Sequence, residues 1–386
     1  MKINTSFVII AFMMSISIVG QQKENPLRAG ELRIDVGSME KGQSNSIIDI
    51  VGVRVGHKTI IKGDSIRTGV TAILPHDGNI FQEKVPAAIY VFNGFGKLAG
   101  STQVEELENI ETPIILTNTL SVGTAVKATI NYTLSLIGNE NVRSVNAVVG
   151  ETNDGFLNDI RGMHVTEEDV IDAIKSSTNN KVQEGSVGAG AGTVAFGLKG
   201  GIGTSSRVTP KIGGKNYTVG VLVQSNFGRE LIINGIPFTK EIKQDEVKKQ
   251  EDGSCMIVIA TDAPISPKNL KRIAKRSFVG MGRTTTTMTN GSGDYAIAFT
   301  SAYKIPHDPQ NQMNKIPELV DNNSMSILFQ AVEEATQEAI YNSLFSSTTI
   351  TGYKGRIVKS ISIEKVKELI KKYNMENLRD RFRDLQ

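Results

Sequence analysis

The sequence predicts a layered α/β (α+β) fold in which sheets lie sandwiched between helices. Three observations lead there. Apolar runs of strand length are nearly continuous instead of alternating, as in strands buried on both faces. Several longer segments repeat apolar residues at helical spacing, and no strict strand–helix–strand rhythm connects the two kinds of segment. Glycine, at 37 of 386 residues, supplies the tight turns and close backbone approaches that stacked layers need.

In chain order, the strand-like runs are VTAILP (70–75), AAIYVFNGFG (87–96), PIILTNTL (113–120) and VNAVVGE (145–151). They continue with YTVGVLVQSN (217–226), CMIVIATD (255–262) and YAIAFTSA (295–302). Helical periodicity marks 122–136 and 270–276. It is strongest over 327–344, where Ile327, Leu328, Ala331, Val332, Ala335, Ala339 and Ile340 form one stripe. Near the C-terminus, Val366, Leu369, Ile370 and Tyr373 oppose a lysine-rich face.

Composition removes several function classes. With 39% hydrophobic and 22% charged residues the chain is globular, not disordered. A net charge of +3 and the absence of Trp give no reason to expect a nucleic-acid partner or a base-stacking platform. One cysteine, Cys255, rules out an internal disulfide and any multi-cysteine zinc site, and the four histidines form no HExxH or HxH pair. No metal and no organic cofactor is expected.

Residues 1–20, MKINTSFVIIAFMMSISIVG, have the charged start and short apolar stretch of a secretory signal. The apolar stretch is shorter than the ~20 residues a membrane span needs, and serines interrupt it. The expectation is a signal peptide at 1–20, a single catalytic domain over 21–386, a periplasmic or secreted location, and no stable membrane span after signal removal.

One break interrupts the pattern. The stretch TKEIKQDEVKKQEDG (239–253) is mostly charged, which by composition describes a solvated surface loop. It ends at Gly253-Ser254 and enters an apolar strand with no turn between. A serine held under strain after a glycine can attack the carbonyl preceding it, shifting amide to ester. Water then frees the serine as a new N-terminus. Its α-amino group, with an unperturbed pKa of roughly 8, can take the proton from its own hydroxyl, so no catalytic histidine is needed.

Long motifs give this junction its context: DIVGVRVGH, GDSIRTGVTAILP, VFNGFGKLAGSTQVEELENIETPIILTNTLSVGT, GETNDGFLNDIRGMHV, GSVGAGAGTVAFGLKGGIGTSSR, VGVLVQSNFG, GSCMIVIATDAP, GMGRTTTTMTNGSGDYAIAFTSA and AVEEATQEAIYNSL. From about residue 48 to 344 the chain resembles the DmpA/BapA family of serine aminopeptidases, also called P1 or S58 peptidases. The resemblance implies a four-layer α/β/β/α sandwich, like that of N-terminal-nucleophile hydrolases but differently connected. It also implies self-cleavage into an α chain (21–253) and a β chain (254–386), and a homotetramer of such αβ heterodimers.

Carried onto matching positions, the resemblance makes Ser254 the nucleophile and Gly253 its cleaved partner. Ser292 and Asp294 in NGSGD become the groups that orient the new α-amino group, although NGSGD alone reads as a turn. The family has Glu in some members where Asp294 stands, one methylene longer. Asn226 becomes the oxyanion donor. Glu151 becomes the carboxylate that receives the substrate's amino group, with Asp154 and Asp159 as alternative acids nearby. Asn118 either lines the same pocket or caps the following helix, and Phe156 is the first candidate for shaping selectivity. Cys255, next along the strand from Ser254, should point away from it. Gly188, Gly190 and Gly192 superficially suggest a nucleotide loop but fit tight packing better.

The implied substrates are short peptides, amino-acid amides or esters, with an L-α-, D- or β-amino acid at the N-terminus. Two other readings stay open: an ornithine-acetyltransferase-like acyltransferase, whose nucleophile is usually threonine, and a non-catalytic Gly-rich binding module.

Overall fold

The computed structural model describes residues 27–241, 253–285, 288–309, 319 and 321–374. The signal-like segment 1–20 and most of the charged stretch 239–253 lie outside the described residues.

Two sheets face each other, each with one parallel pair near its middle. The first runs β1 (Arg54–Lys62), β2 (Ile66–Leu74), β6 (Ile114–Asn118), β7 (Val148–Thr152) and β4 (Leu98–Ala99), with β6 and β7 parallel and the other neighbours antiparallel. The second runs β10 (Gly201–Val208), β11 (Thr218–Asn226), β14 (Ser254–Thr261), β15 (Gly293–Thr300), β3 (Glu83–Gly94) and β16 (Ile305–Pro306). Short β5 (Asn109–Ile110) also joins β3. Here β14 and β15 are the parallel pair. Small hairpins lie outside both sheets: β8 (Val194–Ala195) with β9 (Leu198–Lys199), β12 (Ile232–Ile233) with β13 (Ile236–Pro237), and β17 (Ile350–Thr351) with β18 (Ile357–Val358).

Strand alternation sorts the core into three slabs. Met256, Val258 and Ala260 of β14 point between the sheets, meeting Ile73, Ile114, Leu116 and Val148. Cys255, Ile257 and Ile259 point the other way, toward α5 (Pro267–Gly282) and α6 (Met325–Phe345). On the far side of the first sheet, Val70, Ala72, Ile115 and Val149 meet α2 (Val122–Leu134) and α3 (Glu167–Lys175). The order is therefore helix, sheet, sheet, helix, the four-layer sandwich that the sequence led us to expect. Strands buried on both faces are why the runs read as continuous apolar stretches. The shorter helices α4 (Phe238–Glu241) and α7 (Ile363–Lys372) add Phe238, Val366, Leu369 and Ile370 to the slab of α5 and α6, and α1 (Ser101–Leu107) adds Val104 to the slab between the sheets.

Among the longer elements, β1, α1, α3 and β10 were not legible in the pattern. In β10 the residues Thr204, Ser205, Ser206 and Arg207 are all buried. They escape an apolar signature because side chains satisfy them. The Ile47 amide donates to Thr204 Oγ1, Ser205 Oγ donates to Asn45 Oδ1, and Ser206 Oγ donates to Asp49 Oδ2. Arg207, fully buried, donates to Glu334 Oε2 at 3.1 Å and Glu338 Oε2 at 2.7 Å on α6. Such a pair is held by its partners, and removing one strands the others' charge. Arg207→Ala leaves Glu334 without its guanidinium and Glu338 with Lys41 as its remaining ion-pair partner and Asn45 as a neutral donor. It should lower stability by about 3–5 kcal/mol, read as a lower urea midpoint, and adding E334Q and E338Q should restore part of the loss.

Candidate active site

Both parallel pairs contribute to one end of the slab between the sheets. Ser254 opens β14 and pairs with Asn226 at the close of β11 on one side and with Gly293 at the start of β15 on the other. Facing them are the C-terminal ends of β6 and β7, where Asn118 pairs with Thr152 and Thr117 with Glu151. Gln224, two residues before Asn226, ties these ends together. Its Nε2 donates to Thr117 O at 3.1 Å, Thr152 Oγ1 at 2.9 Å and Ala189 O at 2.9 Å.

The junction preceding Ser254 admits only glycine. A Cβ on Gly253 would lie 2.5 Å from Phe227 Cα and 2.6 Å from Asn226 O, both backbone atoms that have nowhere to move. The Gly253 carbonyl accepts a hydrogen bond of 3.1 Å from Gly293 N–H. Ser254 itself is buried, 7% exposed. The Asn226 side chain is oriented by its Oδ1, which accepts from Val194 N–H at 2.9 Å. A backbone N–H requires an acceptor, so the oxygen must face Val194 and the Nδ2 hydrogens are turned away from it.

Ser292 and Asp294 flank Gly293. Asp294 is fully buried, and neither carboxylate oxygen has a hydrogen-bond partner among the described residues. Burial pushes its pKa up to about 6, against a smaller opposing pull from the Ser292 hydroxyl and the Cys255 backbone. Those two contacts are electrostatic neighbours and fall short of hydrogen-bond geometry. Cys255 pairs with Asp294, shares its helix-facing side and points away from Ser254. Burial, and secondarily Asp294, pushes its thiol well above the ordinary range.

Glu151 is buried but well served. Lys97 N–H donates to Oε1 at 3.1 Å, Thr119 Oγ1 donates a short bond to Oε2, and the Lys97 ammonium stands 3.8 Å from Oε1. A Cβ on Gly96 would lie 3.0 Å from Glu151 Oε1 and 3.2 Å from Tyr295 Oη. Glu151 therefore neighbours Tyr295, two positions along β15 from the partner of Ser254. Burial, then the charges of Glu151 and Asp294, raise the Tyr295 pKa.

The remaining candidates have the following partners. Asn118 Oδ1 accepts from the amides of Leu120 and Ser121 at the entry to α2, and its Nδ2 donates to Thr68 Oγ1 on β2. Asp154 is fully buried and accepts from Asn158 Nδ2, while Asp159 meets His164 at 3.3 Å. Phe156 is 36% exposed, with the Arg356 guanidinium 4.9 Å above its ring. Gly188, Gly190 and Gly192 are packing glycines: added Cβ atoms would meet Thr71 Oγ1 at 2.5 Å, Ile202 N at 2.6 Å and Arg67 O at 2.1 Å.

Sequence reasoning missed Lys97, Thr119, Val194, Lys199 and Gln224. Each lies inside a motif singled out above, but spacing along one chain does not reveal contacts made across two sheets. Among the described residues no group of three or more His, Cys, Asp or Glu side chains is placed to hold a metal ion.

Residues 45–358 match the model for peptidase family S58. The beta-peptidyl aminopeptidase BapA of Sphingosinicella microcystinivorans is 35% identical over 392 residues, covering 94% of this chain and 96% of its own. Among solved structures, the PH0078 protein from Pyrococcus horikoshii OT3 is 45% identical, with a TM-score of 0.86 over 90% of this chain and 99% of that one. The l-aminopeptidase d-ala-esterase/amidase from Ochrobactrum anthropi, described as a prototype for the serine aminopeptidases and a variant of the Ntn hydrolase fold, is 33% identical. Its TM-score is 0.85, again over 90% of this chain and 99% of that one. With four layers, a glycine-only junction at the head of β14, and likeness over nearly its whole length, the chain belongs to peptidase family S58.

Proposed function

We propose that this protein is a self-processing serine aminopeptidase that releases the N-terminal residue from short peptides, amino-acid amides or esters. The observation that carries the reading is the Gly253–Ser254 junction, closed to any larger residue and with its carbonyl already on the Gly293 N–H. The names of the relatives, beta-peptidyl aminopeptidase and l-aminopeptidase d-ala-esterase/amidase, supply the reaction class.

In the processing step Ser254 Oγ adds to the Gly253 carbonyl carbon and Gly293 N–H stabilises the oxyanion. The C–N bond then breaks and the departing nitrogen is protonated, leaving an ester. Water hydrolyses the ester to a Gly253 carboxylate and a free Ser254 amine. The α chain ends at Gly253 and the β chain begins at Ser254. The new amine would lie beside Gly293, between Ser292 and Asp294, and would give Asp294 the hydrogen-bond partner that it lacks among the described residues of the uncut chain.

In turnover the α-amine takes the Ser254 hydroxyl proton as Oγ attacks the substrate carbonyl. Asn226 Nδ2 donates to the oxyanion, and Glu151 holds the substrate ammonium, fixing the cut one residue in. Water then hydrolyses the acyl-enzyme. Removal of residues 1–20, a periplasmic or secreted location and assembly into a tetramer of αβ pairs belong to the same reading. The signal-like N-terminus supports the first two, and the family resemblance supports the third.

The intact mass of purified protein tests the processing step. Wild type should give two chains meeting between Gly253 and Ser254, Ser254→Ala should stay whole, and Gly253→Ala should be cut slowly or not at all. A single uncut wild-type chain, from folded protein, overturns the reading. In the mature enzyme, assayed on amino-acid p-nitroanilides, Asn226→Ala should lower kcat by roughly 10²–10³-fold. Glu151→Gln should act mainly through KM, raising it by about tenfold or more.

Asp294 gives a pH test on the uncut Ser254→Ala chain. Its folded pKa, about 6, lies above the ordinary 3.8, so its stabilising contribution is complete below pH 3.8 and is lost as pH rises through 6. Adding Asp294→Asn should therefore change little at pH 4 and stabilise the uncut chain by roughly 3 kcal/mol at pH 8. Paired thermal melts across that range read the difference.

A further inference from the structure

Lys199 is fully buried and makes no ion pair with a carboxylate among the described residues. Its Nζ donates instead to two backbone carbonyls, Gly190 O at 2.8 Å and Gly200 O at 2.7 Å. These carbonyls stand at the two ends of one loop. Thr193 Oγ1 also donates to Gly190 O, Gly200 N–H donates to Thr193 O, and Ser347 Oγ donates to Gly200 O. Inside the loop, Lys199 of β9 pairs with Val194 of β8. Val194 N–H is the donor that orients the Asn226 side chain.

The burial is costly. It lowers the Lys199 pKa to about 7, with Asp154 the one charge acting to raise it. A methionine of similar length would fill the same space without that cost. What a methionine cannot do is donate to two carbonyls at once. The ammonium draws both ends of the loop onto one point, and the backbone between them has little freedom left to drift.

We propose that Lys199 is a positioning residue for the oxyanion amide: it closes the 190–200 loop and so holds the Val194 N–H that aims Asn226. The inference rests on the aminopeptidase reading for its kinetic consequence, while its geometric content stands apart from activity.

The test combines a double-mutant cycle with a structure. Rates are taken per mature Ser254 N-terminus on amino-acid p-nitroanilides. Lys199→Met should lower kcat by about 10- to 100-fold with KM nearly unchanged, as for a misplaced catalytic donor. Lys199→Gln, which keeps N–H donors, should recover part of that loss, and it also serves should the Met variant not fold. In an Asn226→Ala background, Lys199→Met should cost almost nothing more, because the residue through which it acts is gone. Losses that multiply, a rise in KM alone, or folded protein that stays uncut would each overturn the assignment. The crystal structure of the Met variant should show the Val194–Asn226 hydrogen bond lost with Ser254 and Glu151 in place. If that bond is intact the inference fails, whether or not the wild type proves to be an aminopeptidase.

Discussion

The site depends on the ladder around the first residue of β14. Ser254 is gripped on one side by the antiparallel β11 and on the other by the parallel β15. The backbone before it passes so close to Asn226 and Phe227 that no side chain fits there. A nucleophile at the start of an edge strand or on a free loop would have neither constraint. Here the carbonyl one residue upstream already meets a donor, and Asn226 lies directly across the ladder.

Buried carboxylates in this fold differ in how they are satisfied. Glu334 and Glu338 are paired with a buried guanidinium. Glu151 has a hydroxyl, a backbone N–H and a nearby ammonium, one of which is half-exposed and displaceable. Asp294 has no hydrogen-bond partner among the described residues. Native interiors seldom tolerate such a group without reason, and the proposed cleavage would create an amine at Ser254, whose backbone pairs with Gly293 next to it.

Much of this was legible in one dimension. Strands 255–262 and 217–226 announced themselves because both their faces are buried, and the glycine before Ser254 stood out because it joins a charged run to a core strand. Lys199 was invisible: its sequence neighbours say "glycine-rich turn", and only the folded loop shows a lysine bonded to carbonyls ten residues apart in the chain. β10 was missed for a related reason, since buried Thr, Ser and Arg residues look like surface until their partners from distant segments are in place. Asn118 illustrates the reverse. Either role fitted its motif, and the structure shows its Oδ1 on the turn into α2 and its Nδ2 on Thr68 of β2.

The second sheet is woven from both sides of the junction. In the order β10, β11, β14, β15, β3, β16, the first two strands and β3 precede Gly253 in the chain, while β14, β15 and β16 follow it. A cut between them would release nothing, because each fragment is laced through the other by complete ladders. It would, however, change the kind of equilibrium that unfolding is. An intact chain that opens can close again on itself, whereas two interleaved fragments that separate must find each other in solution, so protein concentration enters the stability. Processing would convert a fold that renews itself into an assembly made once.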